Sequence, residues 1–123
     1  MLPAVHGLDT AVMGRTLDLV KRVWDWDETW GWDYPMMAMT AARLGRGEDA
    51  VSALLMPERT NTYLRNGHNY QDGRLTIYLP GNGGLLSALA LMCTGGEGQG
   101  AELPGFPKDG RWKVRYEGLS GVF

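Results

Sequence analysis

The sequence predicts an all-α fold of short helices with a short β-segment near the C-terminus. Three observations carry this. Val12, Leu17, Val20 and Val23 recur at roughly helical spacing. Two further runs, 36–44 (MMAMTAARL) and 84–94 (GLLSALALMCT), are made of helix formers and end at glycines. WKVRYEGL, from Trp112 to Leu119, alternates apolar and charged residues as a strand does.

The first helix is expected over about 10–23. Asp9 stands where an N-cap belongs, and Arg15, Asp18 and Lys21 separate the apolar positions. Residues 25–33 form a connection of aromatics and acids. The second helix begins near Tyr34, with Asp33 as a possible cap and Pro35 in the first turn, where a missing N–H is harmless. Gly45 is its stop. A third helix covers about 48–56, with Glu48 and Asp49 at its positive end and Pro57 closing it. The short link between the second and third helices predicts antiparallel neighbours.

Residues 57–84 are a long irregular stretch rich in amides and aromatics, with a possible strand at Leu75–Leu79. Loops of this length in a compact domain are functional or disordered, and the aromatic content favours function. The fourth helix, 84–94, is apolar on nearly all sides and should be buried. Residues 97–123 are a Gly- and Pro-rich tail, so the chain divides at about 96 into a helical part and a tail. The helices at 36–44 and 84–94 both call for neighbours on several sides. Either partners from a larger helical layer are missing, or the chain self-associates through those faces.

Composition narrows the function classes. The chain has 123 residues, 44% of them hydrophobic, which is enough for one domain with a core. The formal net charge is -2 and the basic residues are scattered, unlike the basic stripe of a nucleic-acid binder. No apolar run approaches the roughly 18 residues of a membrane span. MLPAVHGLD lacks the basic and apolar regions of a signal peptide. The sequence fixes no compartment. It is compatible with a secreted or periplasmic parent whose targeting segment lies upstream. Cys93 is the single cysteine, so no internal disulfide forms, and it reads as a small buried hydrophobe. The two histidines, His6 and His68, have no ligand spacing, so no metal site is expected. No cofactor motif is present, and no serine sits in a nucleophile elbow.

Three segments carry candidate chemistry. Four of the five tryptophans fall in WDWDETWGWDY, Trp24 to Tyr34. Indole faces stack on the C–H faces of sugars, carboxylates accept hydroxyl hydrogen bonds, and glycoside hydrolysis needs two carboxyl groups. Trp30 and Trp32 are the candidate stacking rings. Glu28 and Asp33 are the candidate acid/base carboxylates, Asp33 with helix capping as its alternative role. In RNGHNYQDG, Arg65 to Gly73, His68 and Asn69 can donate and accept toward hydroxyls. Asn66-Gly67 and Asp72-Gly73 in the same stretch are strong turn pairs. In LPGNGGLL, Leu79 to Leu86, a glycine-rich turn opens a helix, and Asn82 could face a ligand. That segment lacks the Lys and Ser/Thr of a phosphate loop.

Taken together, TWGWDYPMMAMTAARLG, NTYLRNGHNYQ and YLPGNGGLLSALALM resemble the last helical hairpins of six-hairpin glycosidases. The nearest pattern is that of family 95 glycoside hydrolases, the inverting α-L-fucosidases, and their relatives. The resemblance spans about residues 24–94 and rests on Ala42-Arg43-Leu44-Gly45 at a helix end, His68 in a loop, and Gly81-Asn82 before the last barrel helix. It implies helical hairpins from an incomplete (α/α)6 toroid. The chain would then be the C-terminal part of a glycoside hydrolase-like protein, forming one wall of a sugar site against the remainder of the barrel. The family pattern has its catalytic Asp immediately before the Gly-Asn pair; Pro80 stands there in this chain. Fucosidase activity is therefore not implied. The general acid of such barrels lies in an earlier hairpin, so the fragment alone is expected to be inactive. The alternative is a small non-enzymatic helical module that assembles through exposed apolar helix faces.

Overall fold

The computed structural model describes residues 7–96 and 102–119. His6 and the start of the predicted tail lie outside the described residues. The structure is mostly helical. Its elements are α1 (Thr10–Val23), α2 (Asp33–Arg43), α3 (Gly47–Leu54) and α4 (Leu79–Thr94), with 3₁₀ turns at Trp26–Glu28 and Arg59–Asn61. A two-stranded antiparallel sheet joins β1 (Thr62–Tyr63) and β2 (Asn69–Tyr70), pairing Thr62 with Tyr70 and Tyr63 with Asn69.

Local chemistry sets the helix ends. Asp9 accepts from the N–H groups of Ala11 and Val12 at 2.8 and 3.1 Å, satisfying two donors that α1 cannot satisfy itself. Lys21 and Arg22 occupy its last turn, where cations favour the helix dipole. α2 ends in a Schellman motif. Gly45 has φ +68°, its N–H reaches Ala42 O at 3.0 Å, and Arg46 N–H reaches Ala41 O at 2.8 Å. That reversal lays α3 against α2.

α2 is the central element, packed between α3 and α4, with α1 against it. Ala38, Ala41, Ala42 and Ala50 are fully or almost fully buried, so the helices approach on small side chains. Met37, Met39, Leu91 and Met92 fill the remaining core, and Leu17 is the buried contribution of α1. An ion network also ties α1 to α3. Arg46 contacts Asp18 and Asp49, each at 2.5 Å, and Lys21 pairs with Asp49. The tail folds back onto this body: Phe106 packs on the core, and Gly105 N–H donates to Met92 O at 3.1 Å. A Cβ at Gly105 would overlap Met92, so that close approach requires glycine.

Several expectations need correction. The sheet lies in the 57–84 stretch, and neither Leu75–Leu79 nor Trp112–Leu119 forms a strand among the described residues. An alternating pattern needs a partner strand, and none is beside Trp112, whose ring instead packs on Phe106 at 5.8 Å. α4 starts at Leu79, five residues before the expected Gly84, because Pro80 and the glycines behind it form its first turns rather than a preceding loop. Nor is α4 buried all round. Ala88, Leu91, Met92 and Cys93 face the core, while Leu79 and Leu86 are 63% and 69% exposed. α1 likewise leaves Val12, Leu19 and Val23 on an open face. No helix among the described residues is long and apolar enough to cross a membrane.

Candidate functional site

The site is built around the turn from Trp30 to Asp33. Trp30 N–H donates to Asp33 Oδ2 at 2.8 Å, and Asp33 N–H donates to Trp30 O at 2.9 Å. The Asp33 carboxylate therefore points back to the turn. The expected capping bond within the first turn of α2 is absent, and Trp32 occupies the cap position without a side-chain bond. Gly31 N–H donates to Gln71 Oε1 at 2.9 Å, pinning the turn to the loop after β2. A side chain at Gly31 would overlap the Asn69 and Gln71 carboxamides. Glycine is thus required by close approach, and the result is a rigid turn that carries two tryptophans.

The buried amides form the anchor. Asn69 is completely buried and Gln71 nearly so. Asn69 Nδ2 donates to Thr60 O and Thr62 O at 3.0 and 3.1 Å, and its Oδ1 accepts from Gln71 Nε2 at 2.9 Å. Gln71 Nε2 also lies 3.2 Å from Thr60 O. Asn82, on α4, accepts from Asn69 N–H at 2.9 Å and donates to Gly67 O at 2.7 Å. A Cβ at Gly81 would also overlap Asn69. Asn69 is therefore wedged between the Trp30–Asp33 turn and α4. Burying amides this deeply is tolerable because their polar atoms are paired. Tyr34 adds a second anchor, its hydroxyl 2.7 Å from Thr60 Oγ1.

On this frame the ligand-accessible groups are few. Trp30 and Trp32 are each about half exposed, at 51% and 53%. The Trp30 ring packs against Tyr78 with centroids 5.5 Å apart and planes tilted by 32°. Asp33 is only 8% exposed. Burial pushes its carboxyl above the ordinary carboxylate range, against the opposing Trp30 N–H bond. Tyr78 is raised as well, first by burial and then by the Asp33 charge, which places phenol and carboxylate within electrostatic reach. The arrangement is a shielded carboxylate beside a ledge of aromatic rings.

The other predicted residues sit in different settings. Glu28 ends the first 3₁₀ turn and is exposed. His68 is half-buried on the hairpin, with Nδ1 buried and without a hydrogen bond. Asn69 and Asn82 hold their amides within the chain, as described. Trp24 and Trp26 pack on one another at 5.6 Å, and Trp26 packs on Tyr34 at the same distance, so these two rings belong to the framework. Both turn pairs form. Gly67 takes φ +85° at the hairpin tip, and Asp72 accepts from the N–H groups of Arg74 and Leu75. Sequence reasoning missed Tyr78, because LTIYL was read as a strand. It also missed Gln71 as the pin of the tryptophan turn, since nothing local links positions 40 residues apart. Outside the ledge, Glu58 is raised by its hydrogen bond to Asp27 and by the nearby charges of Asp27 and Asp25. Among the described residues no His/Cys/Asp/Glu group is arranged to hold a metal ion.

No family model, curated protein or solved structure matches this chain.

Proposed function

We propose that the chain binds carbohydrate at the ledge formed by Trp30, Trp32, Tyr78 and Asp33, as one wall of a sugar site in a glycoside hydrolase-like helical protein. The observation that carries this reading is the shielded Asp33 carboxylate beside half-exposed indoles on a rigid turn. Indoles offer a sugar ring a flat apolar face with little entropy to lose. A carboxylate at the edge of that face accepts hydroxyl hydrogen bonds that are stronger for its charge. His68 adds a donor and acceptor on the hairpin, while Asn69 and Asn82 position that hairpin against α4. The resemblance to the last hairpins of (α/α)6 glycosidases supports the same ligand class.

The reading is one of binding. A raised carboxyl such as Asp33 suits a general acid, but hydrolysis needs a second carboxyl group across the scissile bond. Glu28 is the candidate within this chain, and the remainder of a barrel is the candidate outside it. Pro80 lies in the first turn of α4 and can move no proton.

The test is titration of the chain with a panel of neutral mono- and oligosaccharides, followed by tryptophan fluorescence and calorimetry. Saturable binding that weakens about tenfold in Trp30→Ala, roughly 1.4 kcal/mol, is expected. Absence of binding across the panel, or binding unchanged in both Trp30→Ala and Trp32→Ala, would remove the ledge from consideration.

A second reading has its own observation. The open faces of α1 (Val12, Leu19, Val23) and α4 (Leu79, Leu86) are the surfaces a self-assembling helical module would use. Sedimentation over a range of concentrations separates the two. Assembly abolished by Leu19→Arg or Leu86→Arg, without saccharide binding, favours the module.

A further inference from the structure

A pocket of about 170 Å³, partly open to solvent, lies between α1, α2 and α3, away from the aromatic ledge. Its walls are Leu17, Met37, Met56 and Trp26, with the small side chains Ala41 and Ala53 leaving the space. Nearly all of the surface this pocket presents is apolar. Its polar groups are mostly committed to one another. The Trp26 indole N–H is committed to Lys21 O at 3.2 Å, and Lys21 and Asp49 are paired with each other. Asp49 is bonded to Arg46 as well. Ser52 is the remaining polar side chain in the lining, so the wall offers a polar ligand few partners.

We infer that this pocket is a binding site for a small uncharged apolar molecule, about one aromatic ring in size. A closed apolar cavity of about 150 Å³ accepts benzene or xenon, which sets the size of ligand that a pocket of this volume fits. The half-exposed Lys21 beside Asp49 places an ion pair at the rim of the pocket. The committed polar groups leave dispersion and shape as the means of recognition. The site selects by size and apolarity, and its committed polar groups give sugars and ions little to bind.

The test uses the full chain, with benzene and indole as probes and glucose as the polar control. Thermal unfolding should show a saturable rise in Tm with either apolar probe, roughly 5 °C at ten times Kd, and none with glucose. Amide chemical shifts should move at Leu17, Met37 and Ala53. Ala53→Leu fills the space from α3 and should abolish the shift. Ser52→Leu, at an exposed position on the rim, serves the same purpose should Ala53→Leu fail to fold. A flat Tm with both probes would overturn the proposal. So would a rise retained in full by the folded filler variant, or shifts confined to Trp30 and Trp32.

Discussion

Gly31, Asp33 and Asn69 decide whether the tryptophan turn is a rigid platform. Gly31 leaves the space into which two buried carboxamides reach, so Gly31→Ala must displace them or the turn. Gly31→Ala should cost about 1–3 kcal/mol in urea unfolding, the range for forcing extra carbon into a packed site. Asp33 carries an opposite liability. Burial raises its carboxyl in the folded state, so above that raised pKa the ionised form opposes folding. Its contribution becomes more favourable as pH falls through the folded value toward the ordinary value of about 3.9. Asp33→Asn keeps an acceptor for Trp30 N–H and removes the charge. It should raise stability at pH 7 and flatten that part of the pH profile, while weakening saccharide binding. The tryptophans and Asp33 were legible in the sequence as one cluster. Trp30 and Trp32 were also singled out there as the outward rings, but the seat of Asp33 was not legible, because its bond to Trp30 N–H replaces the helix cap that its position suggests.

The elements repeat this lesson in local terms. The start of α1 and the end of α2 were readable because each is fixed by one residue acting within its own turn. Asp9→Ala should lower stability by about 1 kcal/mol. Gly45→Ala should cost a similar amount, about 1 kcal/mol, because φ +68° crowds a Cβ; both are measurable from urea midpoints at constant m. The start of α4 was misplaced for a related reason. Proline and glycine read as breakers, yet Pro80 sits in a first turn, where its missing N–H has no partner to lose. The small sheet was invisible beforehand. Two-residue strands have no alternation to detect, and this pair is held by the turn at Asn66-Gly67 and by the Asn69 amide below it.

Across the whole molecule, the α1–α3 ion network sets the acid response. Arg46 holds the Asp18 carboxyl below the ordinary range, and Asp49 is held low by Lys21 and Arg46 against the opposing effect of burial. The unfolded chain therefore takes up these protons first as pH falls. Their stabilisation is present above about pH 4 and is lost as pH drops through the lower folded values. Arg46→Met should shift the acid unfolding midpoint upward, read by far-UV circular dichroism from pH 7 to pH 2. Asp33 pulls the other way at higher pH, above the ordinary value of about 3.9, so comparing Arg46→Met/Asp33→Asn with Asp33→Asn should show the network's contribution without that preceding rise. Cys93 stays outside this chemistry, since burial pushes its thiol up and keeps it protonated.

The sequence by itself determined the presence of the four helices, the Asp9 cap, the Gly45 stop and the aromatic-acid cluster, because each rests on residues within a few positions of one another. Tertiary structure decided what those residues face. It sealed Asn69 inside, brought Tyr78 to Trp30, turned Asp33 away from its helix, and left open faces on α1 and α4. It also placed α1 beside the alanines of α2 and α3 to leave an apolar pocket. The physical reason is that burial and close approach depend on contacts between distant positions, such as Gly31 with Gln71, and those exist only once the helices have packed.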